Sequence, residues 1–400
     1  MPVLIPVRHG WRAATRARRP GAAARAGPPP PPPRPASARV PSYPPFPTPI
    51  HLGPTTASRL ILGTMQFGEA IDTPTAFTLL DAALEAGITS FDTAEMYPVP
   101  QRAASAGGSE ASLGSWLRSR PGARAKVHLT TKVAGPGGMA WVRGGPPRLD
   151  GPGLTAALDG SLARLGTDAV DLLLLHWPDR YVPLWGESAY DPGRAYGDAT
   201  PLEEVWEAAG RAVAAGKARA VGLSNETAWG LGRALGCASP PVAALQNAYS
   251  LLARGFEETC AESCAAGGVP LLAYAPLAAG LLTGKYCGGG VGHAWGGPPA
   301  ARLNALRGRY AEGEARYAPT TPARAATRAY AGLAAAAGLS PAALALRWVL
   351  GRPLVAGAVV GVTGTDQLAQ LSAAAAAGPL PPDVLEAVDR VHARWPSPTP

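Results

Sequence analysis

Apolar and polar positions along this chain follow a repeated rhythm. A short apolar run bounded by turn residues is followed by a longer stretch with apolar residues at helical spacing. Three of the runs end in a titratable group. Gly87-Ile88-Thr89-Ser90-Phe91 ends in Asp92, with Tyr97 in the turn beyond; Val127-His128-Leu129-Thr130-Thr131 delivers Lys132; Val170–Leu175 delivers His176. Short apolar runs of this kind predict buried strands of a parallel sheet. Three consecutive strands ending in Asp, Lys and His, with a Tyr on the first loop, would gather four polar groups at one end of a barrel, where chemistry sits in a (β/α)8 enzyme.

Taken in order, the rhythm begins with a strand at Arg59–Gly63. A helix follows Asp72-Thr73, with Pro74 in its first turn and Phe77, Leu80, Ala83 and Leu84 on one face. Further helices are expected near Ser109–Arg118 and Leu154–Leu165. The loop Tyr181–Ala199 carries Trp185, Tyr190 and Tyr196, and a long aromatic loop at a barrel mouth predicts a substrate wall. Thr200-Pro201-Leu202-Glu203 reads as a capping box with Pro at the first helical position. Leu202, Val205, Trp206, Ala209 and Val213 then form an apolar stripe. Later strands fall at Ala218–Ser224, Val242–Asn247, Pro270–Ala275 and Val355–Gly361. Between and after them come helices at Glu226–Gly236, Phe256–Ala266, Pro322–Ala337, Pro341–Leu350, Asp366–Ala376 and Pro382–His392, with a Gly-rich piece at Gly288–Gly297. Eight strands alternating with helices predict an α/β fold, a single (β/α)8 TIM barrel over residues 51–395 with an extra C-terminal helix.

A doubly wound nucleotide fold is the structural rival, and it would want G-x-G-x-x-G at its first strand–helix turn. The nearest match, Gly135-Pro136-Gly137-Gly138-Met139-Ala140, follows the third strand and runs into Trp141–Pro147, where no helix can start. The match is accidental.

Composition separates a tail from this body. Residues 1–50 hold eight arginines, a proline run and no acid, so they cannot bury a core and are expected to be a disordered extension. The formal charge is +8, from 36 Lys+Arg against 28 Asp+Glu; without the eight tail arginines the body is balanced. That balance argues against nucleic-acid binding by the domain, and the tail arginines lack interleaved aromatics. The extension resembles an organellar transit peptide, with the chloroplast the expected location. The alternatives are a mitochondrial or cytoplasmic protein with a Pro-rich tail or a misassigned start. Four cysteines, 237, 260, 264 and 287, are too scattered for a disulfide framework, and no metal site is expected. No apolar run reaches the about 18 residues of a membrane span.

Asp92, Tyr97, Lys132 and His176 suggest one chemistry. A free tyrosine titrates near pH ~10, and a nearby ammonium favours the phenolate, which makes Tyr97 a usable general acid. Lys132 would be that cation, held by Asp92. His176 could hydrogen-bond the same substrate oxygen. The task this fits is protonating an oxygen as a carbonyl carbon receives hydride. Singly, each residue reads as well as an ion pair, a loop aromatic or a core histidine; jointly they point to a site.

Several segments resemble the aldo-keto reductases: Leu62–Gly68, Phe91–Pro100, Thr131-Lys132, Leu175-His176-Trp177-Pro178, Gly222–Glu226 and Leu281–Tyr286. Ala94–Pro100, Ser224–Ala228 and Gln246–Leu252 look most like the Tas-type branch of that family. The resemblance implies an NADP(H)-dependent reductase of aldehydes and ketones, with the tetrad on Asp92, Tyr97, Lys132 and His176. It places Thr64 and Met65 near the nicotinamide ribose, and Ser224, Asn225 and Gln246 at the carboxamide. Asp92 belongs to the cofactor site as well, and Tyr274 would stack on the nicotinamide. Pro276, Leu277, Gly280, Leu282 and Lys285 would line the pyrophosphate; Gly361, Thr363 and Gln367 would meet the adenosine phosphate. Three positions depart from the family pattern. Ala275 replaces a serine, Leu371 an asparagine, and Ile50–Ser58, short and carrying Pro54, predicts a weakened floor hairpin. The expected partner is a small carbonyl compound; oligomeric state is unreadable. The alternative function is a cofactor-binding regulatory subunit of a membrane channel or complex. His176, where such relatives carry Asn, favours the enzyme.

Overall fold

A computed structural model describes residues 43–194, 197–287, 297–309, 311–318 and 322–399. The extension through residue 42, Tyr196 of the aromatic loop and residues 288–296 of the Gly-rich piece lie outside the described residues. A two-stranded hairpin, β1 (Ile50–Leu52) and β2 (Thr55–Ala57), precedes eight parallel strands. These are β3 (Leu60–Gly63), β4 (Ser90–Asp92), β5 (His128–Val133), β6 (Val170–Leu175), β7 (Ala218–Ser224), β8 (Val242–Ala248), β9 (Leu271–Tyr274) and β10 (Val355–Val360). They close in the order β10-β3-β4-β5-β6-β7-β8-β9, the predicted (β/α)8 barrel.

Among the described helices, four start at a residue whose side chain caps the first turn: Asp72, Asp150, Thr227 and Ser340. Asp72 accepts from the Thr75 amide at 2.9 Å and caps Thr73–Glu85, with Pro74 in the first turn as expected. The capping box at Thr200 does not form. Helix Leu202–Ala214 has Pro201 as its N-cap without a side-chain bond, because the Thr200 hydroxyl donates to Asp179 at 3.2 Å instead. The helix expected over Phe256–Ala266 is two pieces, Gly255–Thr259 and Ala261–Gly267, meeting at Cys260.

The floor hairpin is short but well seated, contrary to the weakening its sequence suggests. Pro54 sits in its turn, where no ladder amide is needed. Ile50, Leu52 and Ala57 fill the barrel interior against Leu172, Leu174, Leu272 and the small Ala220, Ala243, Ala244 and Ala356. Small residues inside the strands leave the volume that the hairpin's Ile and Leu occupy. The chain just before it is also anchored. Phe46 is buried in the core, and the Arg59 guanidinium donates to Pro44 O at 2.7 Å. Residues 43–49, assigned by composition to the extension, therefore pack on the barrel, and Tyr43 and Phe46 are the apolar reason. At the other end Thr399 donates to Leu252 O at 2.7 Å, carrying the packed chain past residue 395. Among the described residues no single helix is long and apolar enough to cross a membrane.

Candidate active site

Adjacent parallel strands bring the tetrad together. Gly63 pairs with Asp92, Asp92 with Thr130, and Lys132 with Leu174, so Asp92, Lys132 and His176 lie at the C-terminal ends of three neighbouring strands, Lys132 and His176 each two residues beyond the partner of the one before. Lys132 is 1% exposed and lies behind the cavity wall. Its ammonium donates to Asp92 Oδ1 and, at 2.8 Å, to Thr93 O. It also sits 5.0 Å from the centroid of the Tyr97 ring. A buried ammonium is tolerated only when paired and hydrogen-bonded; burial lowers its pKa, and the Asp92 charge opposes that shift. Behind it, Glu110 accepts from Thr131 Oγ1 and, at 2.7 Å, from Arg164 Nε.

His176 meets Tyr97 edge to face, with ring centroids 5.6 Å apart. Burial, and then the Lys132 charge, push the imidazole well below its ordinary 6.5, so the ring is neutral. A neutral imidazole offers one N–H and one acceptor. Asn225 Nδ2 donates to His176 O at 2.9 Å, and Tyr274 Oη donates to Asn225 Oδ1 at 2.7 Å. Asn225 and Ala275 follow directly after strands, and both hold left-handed backbone with φ 53°. Non-glycine residues in that region cost free energy and cluster at functional sites.

Asp92, Tyr97 and His176 open onto a cavity of about 1380 Å³, larger than the roughly 300–1,000 Å³ of an ordinary single-ligand pocket. Of the expected cofactor contacts, Met65, Ser224, Asn225, Gln246, Tyr274, Pro276, Leu277, Gly280, Lys285, Gly361, Thr363 and Gln367 all line it. Thr64 and Leu282 do not. Thr64 is buried and donates to Asp92 O at 3.1 Å, and Leu282 packs in the core. The family resemblance put both at the cofactor, but their side chains turn inward. Gln246 faces Asp92 too: its Nε2 donates to Asp92 Oδ2 at 2.8 Å.

Two features of the cavity fit a nicotinamide dinucleotide. The His176 Nδ1 atom is buried without a protein partner, which suits a polar ligand group beside it. Gly280, at φ +96°, gives the second: a Cβ there would come within 2.8 Å of Lys285 Nζ, so the ammonium folds closely over bare backbone. Burial, and then the Arg302 charge, lower the Lys285 pKa; both cations line the cavity, and an anionic group there would stabilise both. Leu371, at the family's asparagine position, also lines it but is 4% exposed and packed in the core.

The aromatic wall is only partly the one expected. Trp185 lines the cavity and packs on Trp177 at 5.6 Å, but Tyr190 is 58% exposed and leans at a tilt on Tyr181 outside it. Met96, Met139, Trp141 and Trp177 complete the apolar side. Met139 and Trp141 escaped the sequence reading because the Gly/Pro-rich loop around them has no periodicity.

The parallel barrel thus carries a buried Lys–Asp pair beneath a tyrosine, beside a neutral histidine, at a cavity roomy enough for a dinucleotide and a small substrate. The aldo/keto reductase family model matches residues 59–393, and the chain belongs to that family. It is 38% identical to Protein tas of Escherichia coli over 351 residues, 86% of this chain and 96% of that protein. An aldo-keto reductase of Babesia bovis is 36% identical over 68% of this chain and 98% of its own. Aflatoxin B1 aldehyde reductase member 2 of Homo sapiens is 29% identical, covering 82% and 85%.

Proposed function

We propose that this oxidoreductase uses NADPH to reduce aldehydes and ketones, with Tyr97 as the general acid. The observation that carries this reading is the Lys132 ammonium under the Tyr97 ring, locked by Asp92 and Thr93 O. Met65, Ser224, Asn225 and Tyr274 would hold the nicotinamide end of the dinucleotide, and Gly280, Lys285, Arg302, Gly361, Thr363 and Gln367 its phosphates. When bound, the dinucleotide supplies the hydride. The Tyr97 hydroxyl donates its proton to the carbonyl oxygen as negative charge builds there. Lys132 favours the phenolate left behind, because an opposite charge nearby stabilises the ionised form. His176, kept neutral by its surroundings, donates a hydrogen bond to the same oxygen without competing for the proton. Trp177, Trp185, Met96 and Met139 exclude water and favour apolar or aromatic substrates.

NADPH oxidation with a panel of aliphatic, aromatic and sugar carbonyls tests this reading. Turnover that is present in wild type and lost in Tyr97→Phe supports it; no turnover with any member defeats it. The arginine-rich extension we assign to import into a chloroplast. A fluorescent fusion of the whole chain that stays in the cytosol, while one lacking residues 1–42 behaves identically, would remove that assignment.

A further inference from the structure

The turn that carries Tyr97 and the loop after β5 are tied by a buried ion pair that the mechanism above does not use. Glu95 is two residues from Tyr97, and its side chain is 2% exposed. Its backbone amide donates to Lys132 O at 3.2 Å, and its Oε1 accepts from the Ala134 amide at 2.6 Å. The same oxygen takes Nη1 of Arg143, 48 residues on, whose side chain is 14% exposed. Arg143 also donates to Arg148 O at 3.0 Å, closing its own loop, and holds left-handed backbone at φ 58°. A non-glycine residue persists in that conformation only when its surroundings over-determine it. Met139 and Trp141, on the loop that Arg143 pins, line the cavity, and Trp141 is 40% exposed at the mouth. Trp177 Nε1 holds the start of the loop through Pro136 O at 2.9 Å, and Asp179 holds its end through the Leu149 amide at 2.7 Å. Between those anchors, Arg143 reaches back to the tyrosine turn.

We propose that Glu95 and Arg143 are a positioning pair that fixes the Met139–Trp141 wall relative to Tyr97 and so selects bulky aromatic carbonyl substrates over short aliphatic ones. This selection rests on the carbonyl-reductase reading above; the tether itself does not. Neither residue lines the cavity, so both act through the loop and the turn. Glu95→Gln keeps the shape and an acceptor for the Ala134 amide while removing the charge that holds Arg143. Arg143→Lys keeps the charge and loses the planar fork that reaches Glu95 and Arg148 O together.

Two measurements decide it. Hydrogen exchange on the protein without ligands should show residues 135–147 opening about tenfold faster in both variants, with β6 unchanged. Unchanged exchange in that loop overturns the tether. Steady-state kinetics with 2-naphthaldehyde and propanal should show KM for naphthaldehyde raised about fivefold at near-constant kcat, with propanal kinetics within about twofold of wild type, the pattern of lost ground-state binding. An equal fall in kcat for both aldehydes overturns the selectivity, since the pair would then act on Tyr97 alone. If wild type reduces neither aldehyde, the carbonyl reading fails, and the exchange result still judges the tether.

Discussion

Gln246 donates to Asp92 Oδ2 at 2.8 Å, on the carboxylate oxygen opposite the one that holds Lys132. One carboxylate thus joins the cofactor side of the cavity to the cation beneath Tyr97. A hydrogen bond to a charged group contributes about 1.5–3 kcal/mol. Gln246→Leu leaves Oδ2 without that donor and lets Asp92 rotate. We expect kcat to fall about tenfold or more, since each 1.36 kcal/mol of barrier is a factor of ten. Steady-state kinetics at saturating cofactor checks this; an unchanged kcat would mean that Lys132 alone holds Asp92.

Tyr97→Phe removes the proton donor and keeps the ring against His176 and over Lys132. Turnover should drop by a factor of about 10²–10⁴, while cofactor affinity by fluorescence titration changes little. Near wild-type turnover would exclude Tyr97 as the acid.

Stability should depend on pH through His128, at the base of β5. Its Nε2 lies 3.1 Å from Thr55 Oγ1 of the floor hairpin, and burial pushes its pKa down to about 4. The folded state keeps the ring neutral, while the unfolded chain takes up a proton below about 6.5. The unfolded state therefore binds more protons between those values, so stability falls as pH drops from about 6.5 to about 4. A shift of this size is worth roughly 3 kcal/mol at the acid end of that window. His176 is shifted in the same direction, so His128→Asn should flatten the slope without abolishing it. Urea unfolding at pH 7, 6 and 5 measures the difference; a slope identical to wild type would show that His128 takes no part.

The cations at the far end of the cavity predict NADPH preference. A charge-assisted contact to a phosphate contributes about 1.5–3 kcal/mol, a preference of about tenfold or more over NADH. Arg302→Met should narrow the gap by weakening NADPH more than NADH. Titration of wild type and variant with both cofactors decides it, and equal wild-type affinities would defeat the phosphate assignment.

Local signals carried much of this fold. Asp72 and Pro74 open a helix because an N-cap and a fixed φ act within a few residues. Each barrel strand announces itself as an apolar run because both faces of a parallel sheet are covered. Asp92, Lys132 and His176 could be singled out because each closes such a run, and neighbouring strands of a closed parallel barrel bring their C-terminal ends to one face. Thr200 shows where local reading stops. Its capping pattern is complete, yet Asp179, a residue 21 positions earlier, takes its hydroxyl.

The amino-acid sequence by itself determined the eightfold strand–helix alternation and the gathering of four polar groups at one end of the barrel, since both follow from short-range periodicity and parallel topology. Tertiary structure alone decided which polar atoms meet. Gln246 and Asp92 are 154 residues apart, and Glu95 and Arg143 are 48. The inward turn of Thr64 and Leu282, the seating of Phe46 and the wall built by Met139 and Trp141 are likewise tertiary outcomes. Such contacts carry no periodic trace, because a side chain's partner is set by which strand ends and loops close around it, and not by its neighbours in the chain.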